Sequence, residues 1–572
     1  MNYKKYFAIL LCVIFGTGVM GCQNTAGNIS SSTNEGVEVQ NEEALEASQD
    51  EEKMFTNRDL EVGYVEEDAT VISLTDLTVS GQGATSDNSS ITIFEEGTYI
   101  VRGSASNVQI HVNATADAKI QIVLDNASIT NETMSALYVE TAKKVFITLA
   151  SDSKNYFTVS EDMCVSEDTK VDGAIYAKSN LTINGNGTLE IKTQNNGIVT
   201  KDDLVISSGS YILETGNHGL EGKDSIRISN GDFSITCKED ALHSDNSEDA
   251  EKGFVYISGG NFSISAGDDG IHATSLVTID GGVIDITKSC EGIEGQNIIV
   301  NDGDIRVNSS DDGFNAATGS ESSEEGFGNP FASDDTCWIE INGGSIYIKA
   351  SGDGLDSNGK LVINGGVVYV DGPTNSGNGA LDYNGAGVIT GGTVIAVGSS
   401  GMAQNFETDS TQASILVSTT SNVNGDVVLK NSNGEVILTY SPAKSYNCVV
   451  ISSPKLQVGD TYTVTMGSVD TEIELTELIY GNGFAMGGGR GGMFGPGAGG
   501  NRGERQDGFK DGQRPQDAER PDSNGENPPE LPEGFEPGKD GELPEGFEPP
   551  EGMERPDGAE LSKPGEQQKG SE

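Results

Sequence analysis

The chain has 572 residues, of which 35% are hydrophobic and 76 are Gly, a mix that suits short strands and tight turns better than a helical domain. Its formal net charge of -55 excludes a nucleic-acid phosphate partner and favours solubility, cation binding or both.

The first residues, MNYKKYFAILLCVIFGTGVMGC, combine Lys4 and Lys5 with a short apolar run and then Val19-Met20-Gly21-Cys22. The run has the length of a signal h-region and is short for a membrane span. Its end resembles a bacterial lipobox, in which the Cys is lipidated and becomes the mature N-terminus. We therefore expect a signal over 1–22 and a lipid anchor at Cys22, an extracytoplasmic protein held at the bacterial cell surface. An ordinary cleaved signal or an uncleaved anchor is the alternative, and each takes the chain out of the cytoplasm. Residues 23–58 are polar and acidic, and read as a flexible linker.

From residue 59 to 410 the chain repeats. Ile198, Leu220, Leu242, Ile271, Ile293, Phe314, Leu355 and Leu381 each follow a Gly or Ala, with spacings of 22, 22, 29, 22, 21, 41 and 26. A base period near 22 with occasional insertions signals a solenoid whose insertions are loops. Within a unit the apolar pattern has period 2, as in LVINGGVVYV and IEINGGSIYI, so the units are strands with Gly-rich corners. The expected fold is all-β, a right-handed parallel β-helix in which equivalent residues stack about 4.8 Å apart. Tyr211, Phe233 and Phe262 fall on inward positions, and an Asp/Asn column before the Gly corners (Asp280, Asn301, Asn342, Asn364) reads as a turn ladder.

Residues 411–482 carry antiparallel hairpin signals, with turns expected at Asn433-Gly434 and Gly459-Asp460, and read as a β-rich cap that closes an exposed sheet end. Residues 483–572 are Gly-rich and then Pro/Glu-rich and offer no packed core. From Asn501 this tail holds 9 Lys/Arg and 20 Asp/Glu, so most of the negative charge belongs to the body. Five Cys outside the signal, widely spaced and without a zinc pattern, read as small core residues.

Two outward columns flank the Gly–apolar pair. The first runs Asn196, His218, Asp240, Asp269, Glu291, Asp312, Asp353, and the second Glu221, His243, His272, Glu294, Asn315, Asp356, Asp382. Glu239, Asp268 and Asp311 add acids one place earlier. Two carboxylates 4.8 Å apart repel by about 3.5 kcal/mol at an effective dielectric near 20, or about 1 in open water. Neither column contains Lys or Arg to offset this. Ca²⁺ is the natural counter-ion, because an ion midway between stacked oxygens sits about 2.4 Å from each. The expected metal ligands are Glu239, Asp240, Asp268, Asp269, Glu291, Glu294, Asp311, Asp312, Asp353, Asp356 and Asp382. Turn capping by Asp side chains is the competing account of the same acids. His243 and His272, poor calcium ligands, border the site, where they hydrogen-bond a sugar or cap a corner. A third column, Asp285, Arg306, Tyr347, Tyr369, offers two rings for stacking on sugars and a guanidinium for a carboxylate, or else a plain solvated face.

The lipobox, the opening GTYIVRGSASNVQIHV, the repeated DGIxxxxxLxIxGGxIxI and the closing LKNSNGEVILTYSP…GDTYTVTMG together resemble the clostridial carbohydrate-binding β-helix lipoproteins. The resemblance spans about residues 61–482. It implies a right-handed parallel β-helix, bound Ca²⁺ and binding of plant cell-wall polysaccharide, notably polygalacturonate and cellulose; we expect a monomer and assign no catalytic residue. Pectate lyases also combine a parallel β-helix with calcium and use a Lys or Arg base; Lys201 and Lys223 are the candidates here, and neither lies in a recognisable catalytic motif. A structural surface or adhesion protein is the third possibility.

Overall fold

The computed structural model describes residues 54–161, 171–318 and 333–481, all within one compact unit. The readings on Cys22 and the signal, on most of the linker and on the C-terminal tail lie outside the described residues.

The described chain is nearly all-β, and most of its strands lie in three parallel ladders. In the first, Ile198 pairs with Leu220, Leu220 with Leu242, Leu242 with Ile271, Ile271 with Ile293, Ile293 with Phe314, Phe314 with Leu355 and Leu355 with Leu381. This is the sequence alignment, continued without slippage across both long spacings. The extra residues leave the ladder between strands, as in the segment separating Leu242–Ser244 from Phe254–Ile257. The second ladder runs from Lys144–Leu149 through Ser225–Ile228 to Gly387–Ile389, the third from Lys154–Val159 through Ser210–Glu214 to Thr393–Gly398.

Alternation decides what each strand buries. The inward residues of the first ladder, Ile198 to Leu381, are at most 1% exposed and belong to a core cluster that extends from Ile72 to Val450. No single turn could bury that face alone, so the stack is stable only as a column of neighbours. Tyr211, Phe233 and Phe262 take inward positions as expected and stack face to face at centroid distances of 4.9 and 4.5 Å. Of the cysteines described, Cys237, Cys337 and Cys448 are buried, Cys290 is half-buried, and all four are free thiols.

The turn ladder is formed by side-chain amides. Asn301 Nδ2 donates to Asp280 Oδ1 at 2.6 Å, Asn342 to Asn301 at 2.8 Å and Asn364 to Asn342 at 2.9 Å, and Thr390 closes the row on Asn364 at 2.7 Å. The glycine two places after each ladder residue lies in the left-handed region, as at Gly366 with φ 80°. A Cβ there would fall 2.6 Å from the Gly343 carbonyl oxygen of the preceding turn, so the corner needs both the torsion and the missing side chain.

Non-repeating chain packs on the column from both sides of the repeat in sequence. At the N-terminal side, Met54 to Glu61 form a strap on the outer face of the second ladder, around the short helix Asn57–Leu60. The linker expected to reach residue 58 thus ends earlier: Phe55 is 6% exposed against Val205 and Tyr256, and Arg227 donates to the Met54 carbonyl at 3.2 Å. Asp59 is the anchor. It is 2% exposed, pairs with Lys144 Nζ at 2.6 Å and accepts from Thr182 at 2.6 Å, while Asn184 and Ser207 bind its carbonyl oxygen. Locally Asp59 closes a capping box with Thr56, and four residues from three turns of the stack bury it.

At the other end the parallel ladders give way to mostly antiparallel pairing. Thr393–Gly398 pairs antiparallel with Tyr446–Ser452, which pairs antiparallel with Ser414–Val423. A separate antiparallel sheet of Val436–Tyr440, Val427–Asn431, Thr461–Met466 and Val469–Glu474 packs beside it through Val427, Leu429, Tyr462, Val464 and Ile473. The hairpin through Asn433-Gly434 forms as expected. Gly459-Asp460 instead leads from one sheet to the other, and the second hairpin turns at Gly467-Ser468, where Gly467 has φ 59°.

Replacing Lys144 with Met leaves the Asp59 carboxylate buried without its cation, a loss of about 3–5 kcal/mol. Native-state hydrogen exchange should register that loss at Phe55–Leu60 and in the Thr182 turn; unchanged protection there would assign strap docking to the apolar contacts of Phe55 instead.

Candidate functional site

The first outward column is a hydrogen-bonded ladder. The His218 N–H donates to Asn196 Oδ1 at 3.0 Å, the Asp269 N–H to Asp240 Oδ1 at 2.8 Å, the Glu291 N–H to Asp269 Oδ1 at 3.2 Å and the Asp353 N–H to Asp312 Oδ1 at 2.5 Å. The Gly379 N–H continues the series on Asp353 Oδ1. Each of these acids therefore caps the next turn with one oxygen, as the turn-capping account requires. The second oxygen is not used in this way, and it is the one that faces the second column.

The second column is in register beside the first: Glu221, His243, His272, Glu294, Asn315, Asp356 and Asp382 occupy successive rungs. Charge divides the face in two. Toward the N-terminal side the acids have imidazole partners. His243 Nδ1 meets Asp240 Oδ2 at 2.7 Å, and His272 Nδ1 meets Glu294 Oε2 at 2.6 Å and Asp269 Oδ2 at 3.6 Å. Burial works against protonation of His272, but the bonds to Asp269 and Glu294 outweigh it and push the group up to about 10. Burial also opposes ionisation of Asp240 and Glu294, yet their imidazole partners hold both carboxyls below the usual range. His243 and His272 thus spend ring nitrogens on acids of the ladder, a role closer to corner chemistry than to a free sugar contact.

Toward the C-terminal side there is no such partner among the described residues. Asp312, Asp353 and Asp356 place one carboxylate oxygen each within 4.8 Å of one another. Burial first, and then the neighbouring carboxylates, push Asp312 up to about 6, Asp353 up to about 7 and Glu291 up to about 8, with Asp356 raised well above its ordinary value. Asp382 is raised by burial as well, and Gln404 donates to its Oδ1 at 2.8 Å. Space has been kept for these groups: a Cβ on Gly352 would fall 2.2 Å from Asp312 Oδ1 and 2.3 Å from Asp311 Oδ1. The donor set suits a hard cation, since two Ca–O bonds of about 2.4 Å span the same distance as the cluster. Glu239, Asp268 and Asp311 lie outside this inner row, exposed on its rim.

The third column is in register as expected, from Asp285 through Arg306 and Tyr347 to Tyr369, but its tyrosines are not a free platform. Tyr369 is stacked on Tyr440 of the cap with ring centroids 4.8 Å apart. Tyr347 and Tyr440 donate to the two oxygens of Asp371, which is 0% exposed, and the Ala443 N–H joins them at 2.8 Å. Lys444 Nζ binds the Ala350 and Asp371 carbonyls. These residues seat the cap on the stack, which corrects the expectation of sugar-stacking rings. The pattern gave no hint, because the contact joins residues some 70 positions apart. Arg306 stays open, 63% exposed with 3.5 Å contacts to Asp304, as does the exposed Asp285.

Both candidate bases are ion-paired, Lys201 with Glu221 at 2.6 Å and Lys223 with Glu248 at 2.9 Å. The Glu248 contact raises the Lys223 ammonium, the wrong direction for a proton acceptor. The sequence reading also stopped the second column too early. It continues upstream in register through Val199, Tyr176 and Tyr138 to His111, whose ring stacks on Tyr138 at 5.2 Å. Downstream, Gln404 lies 22 residues after Asp382, a spacing that could have revealed it.

Comparison with known proteins bears on this face. A family model described as "Carbohydrate-binding domain-containing protein" matches residues 87–326, a span that includes the rungs from Asn196 to Asp312. A carbohydrate-binding domain-containing protein of Acetivibrio thermocellus is 34% identical over 123 residues, 21% of this chain and 43% of that relative. The chain therefore spans less than half the length of the curated relative it matches. A solved structure of the polysaccharide lyase-like protein from C. thermocellum, a gadolinium derivative, aligns at 29% identity with a TM-score of 0.35, over 41% of this chain and 92% of that one.

The raised carboxyls set a pH dependence for the cation-free chain. A carboxyl whose folded value lies above its unfolded value contributes its full stability below about pH 4 and loses it as pH rises through the folded value. Melting in chelator should accordingly fall between about pH 4 and 8, the window of Asp312, Asp353 and Glu291. Asp353→Asn should flatten part of that fall. A variant profile parallel to the wild type would assign the slope to the overall negative charge.

Proposed function

We propose that the stack is a right-handed parallel β-helix that binds plant cell-wall polysaccharide, acidic in character, with Ca²⁺ held on its acidic face. The handedness follows from the strong preference of parallel crossovers for the right-handed path. The glycan class rests on the carbohydrate-binding family model and on the chemistry of the face together. The single observation that carries the calcium reading is the cluster of Asp312, Asp353 and Asp356, three carboxylates within 4.8 Å without a cationic side chain among the described residues. Glu291 and Asp382 border it, and Asp311 stands at its rim. The remaining acids of the face, Glu239, Asp240, Asp268, Asp269 and Glu294, are assigned a lesser part because the imidazoles already serve the inner ones.

A chain at -55 repels a polyuronate unless a cation links the two. An ion held by the Asp cluster has coordination positions left for sugar carboxylates and hydroxyls, since Ca²⁺ takes six to eight oxygens. Arg306 is the one exposed guanidinium of the third column and would pair with a uronate carboxylate. In this reading the chain acts as a binding protein, exported and anchored through Cys22, with the 411–482 region as an end cap and residues 483–572 as a tail.

Retention of polygalacturonate is the test, measured with calcium, with chelator, and for the Asp353→Asn/Asp356→Asn variant. Binding should be lost in chelator and in the variant while circular dichroism reports an intact β fold. Unchanged binding with an intact fold in chelator would overturn the bridging role. Steady growth of unsaturated-uronate absorbance in the same incubation would replace the binding role with a lyase.

A further inference from the structure

A cavity away from the acidic face lies where the strands Lys144–Leu149 and Asn180–Gly185 end, beside the residues that follow the strap. Its volume is about 220 Å³. That is below the ~300–1,000 Å³ of sites for drug-sized ligands and suits one small ring. Its walls come from separate parts of the chain: Val62 and Tyr64 from just after the strap, Asp125 and Ser151 from two turns of the stack, and Asn186 from a third. The chain after the strap is fixed over this spot. Gln121 Nε2 donates to the Gly63 carbonyl at 3.3 Å, Asn184 Nδ2 to the Glu61 carbonyl at 3.1 Å, and Tyr64 packs against Ile100, Val123 and Ala150.

The polar groups of the lining have capacity to spare. The Tyr64 hydroxyl, the Ser151 hydroxyl and the Asn186 amide make no side-chain hydrogen bond among the described residues. Asp125 is oriented but not saturated: its Oδ2 accepts from Arg102 Nε at 2.6 Å and its Oδ1 from Asn126 Nδ2 at 2.9 Å, which leaves a lone pair on each oxygen. Donors and acceptors therefore stand beside an apolar wall, the complement of a pyranose ring with hydroxyls at its rim and C–H groups on its face. Backbone strain adds to this. Of the four non-glycine residues in the left-handed region among the described residues, two flank the cavity, Asn126 with φ 58° beside Asp125 and Asp152 with φ 60° beside Ser151. Such conformations are costly and collect where side chains are held for a ligand. Charge narrows the ligand class. The lining contains no Lys or Arg, and Arg102 beside it is already shared by Asp125 and Glu66, the latter at 3.0 Å. A uronate would meet Asp125 without a cation, and a metal ion would find a single carboxylate. Neutral hydroxyls meet neither obstacle.

We propose that this cavity binds one neutral hexose ring, free or at a chain end, with Asp125, Ser151 and Asn186 on its hydroxyls and Val62 and Tyr64 against its C–H face. The site is separate from the Asp312–Asp353–Asp356 cluster, requires no calcium and stands whether or not that cluster holds an ion. It also ties the sugar to the strap, because Val62 and Tyr64 keep their places only while Asp59 is docked.

Saturation-transfer NMR on the full-length chain in chelator, with glucose, galactose, cellobiose and galacturonate as probes, tests the assignment. A neutral hexose should receive transfer, and galacturonate should bind about 5-fold or more weakly. Cellobiose binding as well as glucose marks a chain end, and its exclusion marks a free sugar; either supports the site. Ser151→Ala and Asn186→Ala, both exposed changes, should each weaken the neutral sugar about 3–10-fold at an unchanged melting temperature. Tyr64→Ala should weaken it about 10-fold. The bound sugar should also slow amide exchange at residues 61–64. No transfer from glucose or galactose, wild-type affinity in both Asn186→Ala and Tyr64→Ala, or tighter binding of galacturonate would overturn the site. Loss of the neutral sugar in Asp353→Asn/Asp356→Asn would overturn it equally, by placing the ring on the acidic face. Polygalacturonate retention, read with calcium present, is left untouched by each of these results.

Discussion

Parallel pairing between successive turns is the constraint from which the rest follows. Once Leu242 is hydrogen-bonded beside Ile271, and Ile271 beside Ile293, every equivalent side chain is held one strand spacing from the next. Identical neighbours at that distance reinforce whatever they are. Aliphatic residues become a continuous core, Phe233 and Phe262 a stack, and the row from Asp280 to Asn364 a chain of amide bonds. Carboxylates become a problem of repulsion. The same spacing that builds the fold concentrates charge on one face.

The molecule meets that repulsion in two ways along one column. Near Asp240 and Asp269 it inserts imidazoles, which hold Asp240 and Glu294 below the usual carboxyl range, while burial still pushes Asp269 up to about 7. Near Asp312, Asp353 and Asp356 it inserts nothing, and burial among like charges drives those carboxyls toward protonation. Rung bonds from backbone N–H groups fix one oxygen of Asp240 and of Asp312 whatever the state of the other. The stacking of the whole column thus holds these carboxyls side by side.

Docking of the strap and the cap uses different physics from the repeat. The strap is fixed by one buried ion pair, Asp59 with Lys144, and the cap by one buried carboxylate, Asp371, that gathers Tyr347, Tyr440 and Ala443. Both are unique polar nodes in a molecule otherwise held by repetition. A repeated pattern gives no unique register at its ends, and a buried charge with fixed partners does.

Periodicity is local information, and whatever follows from it could be read from the chain alone: the strand type, the period near 22, the inward Tyr211, Phe233 and Phe262, the turn ladder and the membership of all three outward columns. Register carried these from sequence to space, because in-register stacking turns equal position in the repeat into physical contact. Contacts between different parts of the repeat were not legible. That Tyr369 meets Tyr440, that residues 54–58 leave the linker to dock on the second ladder, and that the second cap hairpin turns at Gly467-Ser468 depend on chain segments whose sequence has no period to align. The division of the acidic face was hidden for a related reason. Composition places the histidines in the columns, but only side-chain direction decides that His243 and His272 spend their donors on Asp240 and Glu294 while Asp312, Asp353 and Asp356 are left facing one another.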